Sequence, residues 1–337
     1  MKDAAVPNPK VDNKKNKILS KFIMILLVKK ERYLNILPFE EDMNVIVTIP
    51  AYNEEKTIGK VIANMRKVLD KERYGYKVLV VDDGSQDRTV EVARKSGAIV
   101  YCLPKNYGLA ETFKTEIEKA LELKPDIIIH IDADSQYLPS EIPKLVNEVK
   151  KGNDLVLGSR FKGKIEEMPL IKRLGNIAFS GVISEITGLK ISDAQTGFRA
   201  FTRKVAEEIR ITSNHTYTQE QIIRAVRHKF KIKEVPVYFA KRNGKSRLIS
   251  NPFSYAIMAW INIIRIYRDY EPLKFFGIIG TLILLIGFIL GLYLVYFQLF
   301  GGGAFRHLGL IMLDILIITI GLQVVIFGFI SDMLKKY

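Results

Sequence analysis

Short apolar runs rich in β-branched residues alternate with stretches of helical spacing through the first three-quarters of the chain. Residues 45–49, 77–81, 98–102, 127–131 and 155–157 are bounded by turn residues and predict strands. Residues 57–69, 87–95, 109–121 and 140–150 repeat apolar positions at three and four, and predict helices. Such alternation predicts an α/β fold with a mostly parallel sheet and helices on both faces. Ligands of these sheets bind beyond the carboxyl ends of the strands.

The pattern changes after Leu273. Two near-continuous apolar runs, about 275–297 and 308–330, each reach the roughly 20 residues needed to cross a hydrocarbon core of about 30 Å. The short connection Gly301-Gly302-Gly303-Ala304-Phe305-Arg306-His307 predicts a transmembrane hairpin within 274–337. Arg265, Arg268 and Lys274 flank one outer end, and Lys335 and Lys336 the other. The positive-inside bias then predicts a multi-pass plasma-membrane protein with its catalytic domain in the cytoplasm. Asp314 and Gln323 fall inside the second run, where snorkelling or helix pairing explains Asp314. Residues 251–273 mix apolar, basic and aromatic positions around Trp260, Tyr267 and Tyr270, which suits helices at the headgroup level. Membrane hairpins often associate, so a homo-oligomer is compatible with the sequence.

Residues 1–43 hold a polar, lysine-rich tail and a short apolar stretch at 18–28, with no secretory signal. Ile18, Phe22 and Ile25 share one helical face, which fits either an interfacial amphipathic helix or a core-docking one. The formal net charge of +15 points to an anionic partner, and the apolar runs favour membrane lipid or a phosphorylated substrate. Nucleic acid fits poorly, because the basic residues gather near the spans and do not interleave with aromatic platforms. The single cysteine, Cys102, excludes an internal disulfide and a cysteine-based zinc site, and reads as a small hydrophobe in a strand.

Four strand ends carry polar clusters: Pro50-Ala51-Tyr52-Asn53-Glu54, Asp82-Asp83-Gly84-Ser85, Asp132-Ala133-Asp134-Ser135-Gln136 and Gly158-Ser159-Arg160. No glycine-rich dinucleotide or P-loop fingerprint accompanies them, so bound phosphates need another counter-charge. In extended chain, residues two apart point the same way, which would present Asp132 and Asp134 together within reach of the Gln136 amide oxygen. Two hard anionic oxygens and one neutral oxygen suit Mg²⁺ or Mn²⁺, which completes its shell with substrate phosphates. Asp-x-Asp alone also reads as a solvated acidic turn; its place after an apolar strand favours the metal. Asp83 reads as a base-binding carboxylate and Asp87 as the cap of the next helix. His130, in mid-strand, reads as a packed core histidine, while Gly197 and Gly244 supply turn geometry.

Taken in order, these strings resemble the motif series of inverting family-2 glycosyltransferases with a GT-A fold. Asp193-Ala194-Gln195-Thr196-Gly197-Phe198-Arg199 and Asn243-Gly244-Lys245-Ser246-Arg247 are similar to the polyprenyl-phosphate branch, which includes dolichol-phosphate mannose synthase. The resemblance implies a Rossmann-like, nucleotide-sugar-binding domain over about 44–250, followed by the interfacial helices and hairpin. It implies that Pro50, Tyr52, Glu54, Val81 and Asp83 line the nucleotide pocket, and that Asp132, Ala133, Asp134 and Gln136 hold metal and diphosphate. Arg160, with Lys241 or Arg242 and with Arg247, would meet phosphate. Thr196, Arg199 and Glu220 would lie at the acceptor junction, with Lys172 and Arg173 nearer the headgroup. Asp134, Asp193, Arg160 and Arg247 form the implied catalytic set. The family usually has Arg-x-x-Gly-x-Ser-Lys where this chain has Lys241 to Arg247, which keeps charge but not side-chain geometry. Asn214-His215-Thr216-Tyr217 matches no donor-specific pattern.

The implied reaction moves a hexose from a UDP- or GDP-linked donor to polyprenyl (dolichyl) phosphate. A phosphate monoester has its second pKa at about 6, so its oxygen is already a nucleophile near neutral pH. Asp193 would then orient acceptor or sugar more naturally than act as a general base. In-line attack implies inversion. Three other readings are a transferase with another hydroxyl acceptor, a polysaccharide synthase, and a silent membrane scaffold. The synthase lacks support because no Gln-x-x-Arg-Trp segment exists and the only tryptophan is Trp260. The intact Asp132, Asp134 and Gln136 set argues against the scaffold.

Overall fold

The computed structural model describes residues 43–213, 217–241, 252–301 and 307–334. The tail and helix expected over 1–42, the stretch 214–216, and Arg242, Gly244, Lys245 and Arg247 lie outside the described residues. Three strands open the sheet: β1 (Asn44–Ala51), β2 (Gly75–Asp82) and β3 (Ile99–Cys102), parallel to one another. Between them run α1 (Ile58–Leu69) and α2 (Thr89–Lys95). Then come α3 (Leu109–Glu122), β4 (Ile127–His130), α4 (Ile142–Lys150), β5 (Leu155–Ser159) and α5 (Leu170–Thr187). β6 (Arg199–Thr202), α6 (Arg203–Glu208), α7 (Thr218–Arg227) and β7 (Ile232–Pro236) complete a seven-stranded sheet of order β3-β2-β1-β4-β6-β5-β7. β6 is antiparallel to both neighbours; every other pair is parallel. Five strands were legible as apolar runs, whereas β6 and β7 were not.

Period-two alternation divides the core. Val45, Val47 and Ile49 of β1 pack with α1 and α4 on one face of the sheet. Ile46, Ile128 and Leu155 pack with α3, α5 and α7 on the other. Thr48 also points to this second face, and its hydroxyl meets Glu116 of α3 there. Cys102 ends the edge strand and is exposed, so it is not the core residue its strand position implies.

α8 (Pro252–Tyr270) lies against the second face, where Ile266 is buried beside Phe179 and Ile183. Tyr267 bonds Glu185 of α5 through its hydroxyl, and Arg227 donates to the Tyr270 carbonyl at 3.4 Å. Pro272 starts α9 (Pro272–Phe300), which pairs with α10 (Leu308–Met333). Both are long and apolar enough to cross a membrane. Gly280, Gly287, Gly321 and Gly328 are buried where they meet, so the backbones approach closely. A Cβ on Gly280 would sit 2.9 Å from the Gly321 carbonyl oxygen, and one on Gly291 would sit 3.3 Å from Asp314 Oδ2. Asp314 therefore faces its partner helix.

Candidate active site

The carboxyl ends of β1 and β2 are stitched together by side chains. Asn53 takes a left-handed turn at φ 53°. Its backbone N–H donates to Ser85 Oγ at 2.8 Å, and its side-chain oxygen accepts from Gln86 N at 2.8 Å. Glu54 N donates to Thr89 Oγ1 at 2.7 Å. Asp87 accepts the Thr89 N–H at 2.9 Å, but Arg88 occupies the cap position of α2, so Asp87 stands one residue before the cap expected of it. Tyr52 stands partly exposed at this edge, beside Pro50.

Asp83 and Val81, at the end of β2, are both buried. Both oxygens of Asp83 accept backbone N–H groups, from Tyr107 at 2.8 Å and Gly108 at 2.9 Å. The carboxylate holds the loop that leads into α3. Gly84 is required beneath this loop: it has φ +74°, and a Cβ there would lie 2.8 Å from Asn106 N. Val81 is fully buried, and its side chain packs in the core with Phe113 and Ile128. Asp82 is buried too; one oxygen accepts from Ser85 N at 2.9 Å, and the other has no partner among the described residues.

Asp132 and Asp134 follow β4, but a turn brings them together, not an extended strand. The chain leaves the ladder after His130, and Ser135 takes φ 63°. Asp134 accepts from Gln136 N at 3.1 Å, and Ala133 is buried beneath. Asp132 has two close neighbours: His130 Nε2 lies 3.9 Å from its Oδ1. A Cβ on Gly197 would be 2.7 Å from its Oδ2 and 2.9 Å from its Oδ1. Gly197 thus makes room for a carboxylate; turn geometry is not its role. Burial, and then the Asp134 charge, push the Asp132 carboxyl up to about 6.

That repulsion is what a divalent cation would relieve, so the pair fits Mg²⁺ or Mn²⁺. Gln136 gives its amide N–H to the Ala240 carbonyl at 3.2 Å, which turns its role toward acceptance through oxygen. Among the described residues no three His, Cys, Asp or Glu side chains group as metal ligands. A cation held by Asp132, Asp134 and Gln136 would need further oxygens from diphosphate or water.

Arg160 and Asp193 are brought together as a buried pair, with bonds of 2.7 Å from Nε and Nη2 to separate oxygens. Burial opposes the Arg160 charge, yet Tyr137 and Asp193 hold its pKa above the ordinary value. Glu234 of β7 fixes the other side by accepting Ser192 N and Asp193 N at 2.9 and 3.0 Å.

Three implied acceptor contacts are enclosed. Thr196 donates its hydroxyl to the Gly158 carbonyl at 2.7 Å. Arg199 is wholly buried, and donates to the Thr218 carbonyl and Gln221 Oε1 at 3.1 and 2.9 Å. Glu220 accepts Thr212 N and Ser213 N at 2.9 Å and pairs with Arg224, so it ties down a loop. Lys172 and Arg173 sit on the first turn of α5, beside exposed Leu170 and Leu174. Lys241 pairs with Glu167 at 2.7 Å on the surface.

Glu116, Glu234 and the Asn53–Ser85 stitch were missed in the sequence. Glu116 alone left a signal: it lies three residues after Phe113 and four before Ala120, on the apolar face of α3.

A mostly parallel sheet with one reversed strand and paired acids beyond β4 is the GT-A fold of nucleotide-sugar enzymes. Residues 46–210 match glycosyl transferase family 2, and the chain belongs to that family as a glycosyltransferase. A dolichyl-phosphate hexose transferase of Haloferax volcanii is 36% identical over 211 residues, covering 62% of this chain and 87% of that protein. A UDP-N-acetylglucosamine–dolichyl-phosphate N-acetylglucosaminyltransferase of Methanococcus voltae is 30% identical over 221 residues, covering 58% and 85%. Glucosyl-3-phosphoglycerate synthase from Mycobacterium tuberculosis, in complex with Mn²⁺ and uridine-diphosphate-glucose, superposes with a TM-score of 0.54 at 18% identity. That superposition covers 70% of this chain and 88% of the synthase, and the likeness is one of fold.

Proposed function

We propose that this enzyme transfers a hexose from a UDP- or GDP-linked donor to polyprenyl (dolichyl) phosphate, with inversion and with Mg²⁺ or Mn²⁺. The observation that carries the reading is the Asp132–Asp134 pair at the sheet edge of a chain that also has two membrane-length apolar helices. The names of the Haloferax and Methanococcus relatives, both dolichyl-phosphate transferases, support the acceptor class, and the mycobacterial complex supports metal with a nucleotide sugar. Within this proposal, 44–250 is the catalytic part, 251–273 the juxtamembrane part and 274–337 a membrane hairpin with its catalytic domain on the cytoplasmic side.

A bound cation would neutralise charge developing on the departing diphosphate. Asp132 and Asp134 would hold it, and Gln136 would contribute a neutral oxygen. Tyr52 and Glu54 flank the nucleotide at the end of β1. Asp193 holds the Arg160 guanidinium fixed, so a cation stands preorganised where phosphates gather. Asp193 thereby orients Arg160, and the acceptor's own anionic oxygen removes the need for a general base. Leu170 and Leu174, 75% and 66% exposed, would lie at the lipid surface, placing Lys172 and Arg173 at headgroup level.

The test is to incubate membranes containing the protein with labelled UDP-glucose, UDP-N-acetylglucosamine or GDP-mannose, with and without polyprenyl phosphate. Label should enter a polyprenyl-linked lipid with one of these donors. Folded protein that labels lipid with none of them overturns the proposal.

A further inference from the structure

Behind the paired acids lies a polar cluster that the proposed reaction does not use. His130, the last residue of β4, is completely buried, as is Glu116 of α3, and Tyr217 is nearly so. His130 Nδ1 is 2.6 Å from Glu116 Oε2, and its Nε2 is 2.7 Å from the Tyr217 hydroxyl. A carboxylate only accepts, so the Nδ1 proton points at Glu116; Nε2 then accepts from Tyr217. Thr48 donates a second bond to Glu116 Oε2 at 2.9 Å.

The ring is held by packing as well. Phe113 stacks on Tyr217 at 3.9 Å between centroids and meets His130 edge-on at 5.2 Å. The imidazole thus has one available orientation, fixed from α3, β1 and the start of α7. In that orientation Nε2 faces Asp132 Oδ1 at 3.9 Å, too far for a hydrogen bond but close enough to limit the carboxylate's movement. Gly197 stands close as well, since a Cβ there would lie 2.7 and 2.9 Å from the two carboxylate oxygens. Polar groups buried this deeply cost stability unless they are bonded. An apolar side chain at 130 would fill the same space more cheaply, so the cluster needs a reason.

We propose that His130, oriented by Glu116 and Tyr217, is a positioning residue that sets the Asp132 carboxylate for the divalent cation. The inference rests on the metal-dependent reading above. Groups that hydrogen-bond metal ligands typically change metal affinity by about 10–100-fold when altered, and His130, which only abuts Asp132, is expected at the lower end of that range.

The experiment measures Mn²⁺ binding to the full-length protein in detergent, by electron paramagnetic resonance of free Mn²⁺, alongside thermal melting. His130→Asn keeps a polar atom toward Glu116 but leaves the Nε2 position empty; it should raise the Mn²⁺ dissociation constant by about 10-fold or more. His130→Gln reaches the Nε2 position and should recover part of that affinity. Tyr217→Phe retains the stacked ring and should weaken Mn²⁺ several-fold, which keeps the test alive if a His130 variant does not fold. Folded variants with lower melting temperatures but wild-type Mn²⁺ affinity overturn the inference and leave a purely structural cluster. Wild-type protein that binds no Mn²⁺ would instead overturn the metal reading itself, and this inference with it.

Discussion

Arg160 and Asp193 form a closed fork: two side-chain bonds of 2.7 Å are joined by a third, from Arg160 N to Asp193 Oδ2, at 3.0 Å. Both side chains are nearly enclosed, with exposures of 6% and 0%, and the fork leaves the Nη1 edge of the guanidinium outside it. The pair belongs to the scaffold of the site as much as to its chemistry.

Removing one partner leaves a buried charge uncompensated. Asp193→Ala should cost about 3–5 kcal/mol of stability and abolish transfer. Arg160→Lys should also fail to restore activity, because an ammonium cannot make the two-pronged contact. Thermal melting and a double-mutant cycle check both statements; a cycle with no coupling would contradict them.

Gly197→Ala tests whether the space beside Asp132 matters. The new Cβ would lie 2.7 and 2.9 Å from the two carboxylate oxygens, so the partly exposed Asp132 must shift. Mn²⁺ affinity should fall on the order of ten-fold while the melting temperature changes little, as titration and melting would show.

The raised pKa of Asp132 has a definite sign. Its folded value of about 6 exceeds its ordinary 3.8, so its contribution favours folding below about pH 4 and is lost as pH rises through 6. Metal-free Asp132→Asn protein should therefore melt higher than wild type above pH 6, with the gap closing near pH 4. Mn²⁺ should reverse the order at pH 7, and its affinity for wild type should drop as pH falls below 6.

The helix hairpin should answer independently of the site. A Cβ on Gly321 would lie 2.9 Å from Leu284 N, so Gly321→Val forces the helices apart. A loss of about 1–3 kcal/mol in detergent is expected from this overpacking, with Mn²⁺ affinity unchanged.

Much of this molecule was legible in the sequence because burial leaves a periodic trace. β1, β2 and β4 read as apolar runs, and α9 and α10 as unbroken ones, since each must satisfy one environment along its length. β6 was hidden because its four residues begin with Arg199, a charged residue that is buried against oxygens of Thr196, Thr218 and Gln221. β7 mixes Lys233 and Glu234 into a short segment, and the reason for Glu234 appears only when Ser192 and Asp193 meet it. At the site, Asp132 and Asp134 follow the end of β4, the place that residue type and strand pattern assign them. Partners could not be read: Asp83 looks the same whether it binds a base or two loop amides, and Arg199 the same whether it meets phosphate or carbonyls.

The most direct measurement titrates Mn²⁺ or Mg²⁺ into purified, EDTA-treated wild type and Asp134→Ala protein, following transfer of labelled sugar to polyprenyl phosphate. Wild type should go from inactive to active with saturation as cation is added, and Asp134→Ala should remain at least a hundred-fold slower, on the order expected for lost charge stabilisation. Transfer by wild type that is indifferent to EDTA, or an Asp134→Ala enzyme as fast as wild type, would contradict a cation held by these two acids.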